Sequence, residues 1–215
     1  MLPERSNATI VSKASESSDE TYKCDALNEF NLQNDKKIAE ELSRVHSSNQ
    51  LSLALIDGAV KQFGSNSIEV KNLVATKIYQ DSINCAIVTK IIDKYGWPGA
   101  ERIGAQNNYT LYTTIQNADL NTQEKYLPVM EKAVRSGTLA PEHYASLVDR
   151  KALVQHQKQI YGTQITGDWA SGEFFFAPIA DEQTVNVRRK EIGLPPIEEY
   201  AKGLNIVHSS SDKTI

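Results

Sequence analysis

The densest run of hydrogen-bonding side chains in this sequence is Asp149-Arg150 followed by Gln159-Ile160-Tyr161-Gly162-Thr163-Gln164. A carboxylate can take a proton, a guanidinium can hold an anion bidentately, and Gln, Tyr and Thr can orient a polar ligand. These residue types suit a site for a small polar or anionic molecule. Asp149, Asp81 and Asp119 are the candidate proton-handling groups. Arg150 and Arg188 are candidate anion holders, and Gln116, Asn117, Gln159, Tyr161, Thr163 and Gln164 are candidate ligand-orienting groups.

What is missing narrows the chemistry. No Ser-His-Asp or Cys-His set, phosphate loop or metal cluster can be assembled from spacing. His46, His143, His156 and His208 are scattered, and none sits in a pattern such as HExxH. Cys24 and Cys85 are too far apart to resemble a zinc pair and too few for a disulfide framework, so reduced structural thiols are favoured over a Cys24–Cys85 bridge. Neither a metal nor a cofactor is expected.

Asp81 is anomalous in its setting. Residues 68–95 read as one long helix, and at about 100° per residue Val70, Val74, Ile78, Cys85, Val88, Ile92 and Tyr95 form an apolar stripe with Asp81 near its middle. An ionised carboxylate there needs a cation or several N–H donors. Either it faces a polar cavity, flanked by Lys77 and Asn84, or the helix breaks near Gln80 and Asp81 caps a second one.

The elements that must position these groups read as mostly helical. Ile38, Leu42 and Val45 recur at helical spacing between 35 and 47, and Leu51, Leu55, Ile56, Val60 and Phe63 do so again, predicting two short amphipathic helices before the Gly64-Ser65-Asn66-Ser67 break. A helix from Gln106 to Ala118 carries Tyr109, Leu111, Tyr112 and Ile115, with Gln116, Asn117 and Asp119 clustered at its end, where polar groups are ordinarily solvated. Asn121 with Glu124 resembles a capping box for a helix ending at Ser136, and Pro128 should kink that helix or mark its start. Pro141 suits a first helical position, and Asp149-Arg150 is expected to close the helix that follows. Residues 160–165 and 173–179 are rich in β-formers around Thr166–Gly172, predicting a small β-hairpin. Asp181 is a candidate cap for a last helix through Arg188-Arg189, stopped by Gly193 and Pro195-Pro196, before a turn around Tyr200.

The expected fold is therefore mainly α, a single helical domain over residues 25–205 with a hairpin near 160–179. Residues 1–24 are Ser-, Asn-, Glu- and Lys-rich and read as a disordered leader, with 206–215 as a flexible tail. The 215-residue length suits one domain. A formal charge of −4 with interspersed Lys and Glu offers no basic stripe, so nucleic acid is not an expected partner. No apolar run is long enough to span a membrane, and no hydrophobic segment follows Met1–Arg5 as in an uncleaved signal peptide, so the reading leans cytoplasmic.

An ordered series of motifs resembles an uncharacterised bacterial family of unknown function, DUF6624-like, over roughly residues 79–200. It comprises Gly96-Trp97-Pro98, Gln116-Asn117-Ala118-Asp119 with Gln123, Asp149-Arg150, Gln159-x-Tyr161-Gly162-Thr163-Gln164, and Arg188-Arg189 with Gly193-Leu194-Pro195. The resemblance adds Gln123 to the candidate ligand-binding residues. It also implies a His where this chain has Asn117. Histidine exchanges protons near neutral pH and an amide does not, so a family general base at this position would be lost here; alternatively the position only donates and accepts hydrogen bonds, which Asn partly imitates. Three readings follow: an enzyme acting on a small polar or anionic substrate, a non-catalytic small-molecule binder, and a protein-interaction (immunity-type) protein in which the motifs form a buried network that fixes packing.

Overall fold

The computed structural model describes residues 8–168, 173–204 and 206. Among them the chain is mainly α, with eight helices and one two-stranded antiparallel hairpin. Residues 1–7 of the expected leader, the hairpin tip 169–172 and the tail segment 207–215 lie outside the described residues.

The first helix, α1 (Ala8–Phe63), takes in residues 8–24, which composition assigns to a disordered leader, and merges the two short helices expected at 35–47 and 51–63. The segment Ser47-Ser48-Asn49-Gln50 holds no Gly or Pro to stop it. Asn49, four residues after Val45, also continues the inward face, because its Oδ1 accepts from Asn84 Nδ2 at 2.8 Å. After Gly64, which has φ 83°, Ser67 caps α2 (Ile68–Tyr95) by accepting from the Val70 N–H. α2 runs unbroken past Asp81, so Asp81 is not a cap.

At 1.5 Å per residue α1 is roughly 84 Å long and α2 roughly 42 Å. The core gathers at one end of this pair. Ile38, Leu42 and Val45 of α1 and Val88, Ile91 and Ile92 of α2 join Trp97, Ile103 from α3 (Ala100–Ile103), and Leu111, Tyr112 and Ile115 from α4 (Ala105–Gln116). Tyr126, Met130 and Ala133 from α5 (Leu120–Arg135) and Leu147 from α6 (Pro141–Val154) complete it. Between residues 46 and 83 the buried apolar side chains are Ala59 and Val70, whereas Leu51, Leu53, Ile68, Ile78 and Tyr79 are exposed. The far half of the α1–α2 pair thus stands clear of the core.

Several boundaries differ from the sequence expectation. α5 is capped by Asp119, two residues before the expected capping box, because the Asp119 carboxylate accepts from both the N–H and the hydroxyl of Thr122. Pro128 lies inside α5 rather than at its start. α6 has Pro141 in its first turn as expected, but continues past Asp149-Arg150 to Val154. The hairpin is shorter than expected: β1 (Ile165–Asp168) pairs with β2 (Glu173–Phe176) in the register Ile165↔Phe176. Asp181 precedes a 3-10 turn, Glu182–Thr184, which leads into α7 (Val185–Glu191), and α8 (Ile197–Gly203) follows. Ile206, assigned by composition to the flexible tail, is buried and its N–H bonds to Ala201 O. No helix among the described residues is long and apolar enough to cross a membrane.

Candidate functional site

The sequence-predicted residues fall into two separate places. The first is a clip around the loop 159–164. Asp149, on the inward face of α6, is 0% exposed. Its Oδ1 accepts from the Ile160 and Tyr161 N–H groups at 2.6 and 2.8 Å, and its Oδ2 accepts from the N–H and hydroxyl of Thr163, both at 2.8 Å. These four donors occupy the lone pairs a carboxylate offers, leaving none to take a substrate proton. They also explain why this loop does not extend the strand: the Ile160, Tyr161 and Thr163 amides point at Asp149 on α6.

The carbonyl side of the same loop is held by arginines from α7. Arg188 Nε donates to Ile160 O at 2.9 Å, and its other nitrogens reach Ala180 O, Asp181 O and Thr184 Oγ1. Arg189, 1% exposed, donates to Tyr161 O and Pro195 O, both at 2.7 Å, and lies 5.0 Å from the Tyr200 ring. Burial pulls its pKa down from the usual arginine value. Gln159 is fully buried and imitates a strand neighbour: its Oε1 accepts from Gln164 N–H while its Nε2 donates to Gln164 O and Ala177 O. Gln164 Nε2 turns to Ser146 and Thr163. At Gly162, φ is 71° and an added Cβ would lie 2.5 Å from Ile197 Cδ1, so glycine is required twice over. Tyr161, half-buried against Tyr144, has its phenol pushed up to about 12, chiefly by burial. Arg150 is not part of the clip. It is exposed and has no hydrogen bond or ion pair among the described residues.

The second place is a groove of about 1090 Å³ where α4 ends against α1 and α2. His46, Asn49 and Leu53 line it from α1, and Lys77, Ile78, Asp81, Cys85 and Asp93 from α2. Tyr109, Thr113 and Asn117 contribute from α4 and its cap, and Asp119, Thr122, Lys125 and Tyr126 from the start of α5. Asp81, Asn117 and Asp119 therefore share one groove, away from Asp149, whereas Gln116 and Gln123 serve the α4–α5 turn. There Gln123 Nε2 donates to Gln116 O at 3.0 Å and to Ala118 O at 2.9 Å.

Charge in the groove is mostly paired. Lys77 Nζ is 2.5 Å from Asp81 Oδ2. Lys125 Nζ is 3.0 Å from Asp93 Oδ2, and the Tyr126 hydroxyl bonds the other Asp93 oxygen at 2.9 Å. Lys125, and then Tyr126, hold the Asp93 carboxyl below the usual carboxylate range. Asp119 is also held below it, first by the Thr122 N–H and then by the Thr122 hydroxyl, and has no cationic partner among the described residues. Burial and then the Asp119 charge push the Cys85 thiol up, which keeps this free thiol protonated and a poor nucleophile. Among the described residues no three His, Cys, Asp or Glu side chains are grouped to hold a metal ion.

Residues 50–210 match the model of a family of unknown function, DUF6624. The chain belongs to that family. In this DUF6624 protein the matched region takes in the far half of the α1–α2 pair, the clip, and the groove apart from His46 and Asn49. No curated protein and no solved structure matches the chain.

Sequence reading missed Arg189 as a buried member of the clip, and Asp93 and Lys125 as part of the charged frame of the groove. Arg189 was signalled by its place beside Arg188. Asp93 and Lys125 are on different helices, and nothing in their spacing joins them.

Proposed function

We propose that the protein is a non-catalytic recognition module whose groove receives a segment of a partner protein. The observation that carries this reading is the uncovered face of α1 and α2 beside α4, where Leu53 is 51% and Ile78 63% exposed. Large apolar side chains exposed in a groove otherwise lined by polar groups favour an interaction surface. The clip supports it by subtraction, because Asp149, Gln159, Gln164 and Arg188 are occupied in holding backbone and the Thr163 hydroxyl is held by Asp149. Burial, and then the Asp119 charge, push the Cys85 thiol up, which weakens it as a nucleophile in the groove.

Photo-crosslinking tests this. A benzoylphenylalanine at Ile78 or Leu53 of the full chain should give a protein adduct of defined mass in the cells that make it, and one at exposed Val187 should not. Equal adducts at all three positions, or none at Ile78 and Leu53, would refute it. A second reading, binding or turnover of a small polar molecule, is favoured by Asp81, Asn117 and Asp119 sharing the groove. It predicts consumption of some compound in a metabolite panel, lost in Asp119→Asn and raised in Asn117→His.

A further inference from the structure

We infer that the face of the α1–α2 pair opposite the groove binds a second copy of the chain, giving a two-fold dimer in which each helical tip points toward the partner's core. This surface is separate from the groove and leaves both grooves open. The Asn49–Asn84 bond marks the line along which α1 and α2 meet. At about 100° per residue from that line, Leu53 of α1 and Ile78, Asp81 and Cys85 of α2 turn to the groove, whereas Leu51 and Leu55 of α1 and Tyr79 and Ile83 of α2 turn to the other side. All four are exposed, Tyr79 at 71%.

Spacing on this face calls for helices as the occupant. On α1, Ser48, Leu51, Leu55, Gly58 and Gln62 alternate three and four residues apart, and on α2 Asn72, Thr76, Tyr79, Ile83 and Ala86 do the same. That alternation is the seam along which one helix receives another. Each helix of the pair therefore has two seams, one filled by its neighbour and one open, as helices have in a bundle of four. Gly58 adds a second observation. It lies inside α1, where glycine costs about 1 kcal/mol relative to alanine, yet an added Cβ would meet nothing within 4 Å. Packing within the chain gives no reason for it, whereas the close approach of another helix does.

Charge selects a second copy. Side chains beside a two-fold axis meet their own copies, so a charge placed there meets its like. The open seams carry no charged side chain between Ser48 and Gln62 or between Asn72 and Ala86, and they offer a charged partner nothing to match. Continued toward the core, the same faces carry Lys37, Glu41 and Arg44 on α1 and Lys90 and Lys94 on α2, which is a net positive end. Two copies stacked in the same sense would bring these positive ends together. Reversed, the ends lie apart and the neutral seams meet, with the axis near Leu55 and Tyr79.

Sedimentation velocity of the full chain at up to about 100 µM, above the micromolar Kd of the weaker interfaces of standard size, tests this. Wild type should sediment as a dimer. Leu55→Glu and Tyr79→Glu each put like charges at the axis and should each sediment as a monomer, with far-UV circular dichroism unchanged because both positions are exposed. Ile78→Glu, on the groove side, should remain a dimer. In a Cys24→Ser, Cys85→Ser background, Leu55→Cys should form a disulfide-linked dimer on oxidation and Arg44→Cys should not; the opposite result overturns the reversed arrangement. A wild-type monomer at every concentration, or a dimer that survives both Leu55→Glu and Tyr79→Glu, overturns the inference and leaves the groove reading standing. A wild-type monomer in which benzoylphenylalanine at Tyr79 crosslinks to a different protein gives the face to another partner and also overturns it. A dimer dissociated by Ile78→Glu but not by Leu55→Glu places the contact in the groove, which overturns this inference and makes the groove's partner a second copy.

Discussion

Replacing Asp149 by Asn changes one atom of the clip and should be expensive. The carboxylate accepts four hydrogen bonds, two at each oxygen, from groups on the loop packed over it. Asn keeps one oxygen, which can still serve the Ile160 and Tyr161 amides, but presents NH2 where Oδ2 was. The Thr163 hydroxyl can rotate and accept from that NH2. The Thr163 N–H cannot, and a buried donor left without a partner costs about 1–3 kcal/mol. The two retained bonds also lose their charge assistance, at roughly 1 kcal/mol each. The expected total is about 3–5 kcal/mol, a large part of a typical folding free energy. For a chain of this size that lowers Tm by roughly 6–20 °C. Thermal melts by circular dichroism measure the shift, and hydrogen exchange locates it, with faster exchange at Ile160, Tyr161 and Thr163 than at α2 core amides. A Tm within about 2 °C of wild type with unchanged exchange at those amides would refute the structural role of Asp149 and return it to the list of groups free to act on a ligand.

Gly162→Ala places a Cβ at positive φ and 2.5 Å from Ile197 Cδ1, so a loss of about 2–3 kcal/mol is expected in urea unfolding; an unchanged midpoint would contradict the packing. Asp119 and Asp93 have folded pKa values below the usual 3.8, so the stability they contribute is full above that pH and lost as pH falls through the folded values. Melts followed down to about pH 2 should show this acid loss, and Asp119→Asn should show less of it. In a Cys24→Ser background, Cys85 should react with iodoacetamide more slowly than a free thiol at about pH 8, and Asp119→Asn should speed the reaction; an unchanged rate would mean that the Asp119 charge does not reach the sulfur.

Where local chemistry decides, the sequence could be read. Pro141 starts α6, Gly64 and Gly96 end helices, and the β-formers around 165 and 176 pair, each through the backbone of its own neighbourhood. Two opposed tendencies misled the reading of α1. The polar run Ser47–Gln50 has weak helix propensity, yet pairing of Asn49 with Asn84 across α2 carries the helix through it. At Asp81 the helical wheel located a carboxylate on an apolar stripe, and Lys77 beside it was visible as the flanking cation. The wheel could not say whether anything covers that stripe.

The sequence by itself determined a mainly helical chain with a short hairpin and membership of a family whose motifs occur in order, because periodicity, caps and turn residues act over a few positions. Only the tertiary structure decided what those motifs do. Asp149 and Gln159–Gln164 are near one another in sequence and form a closed clip around a buried carboxylate, whereas Asp81 and Asp119 are far apart in sequence and face one open groove. Burial separates the two, because a buried carboxylate whose hydrogen bonds are all taken within the protein supports the fold, whereas one at an open groove keeps a side toward solvent.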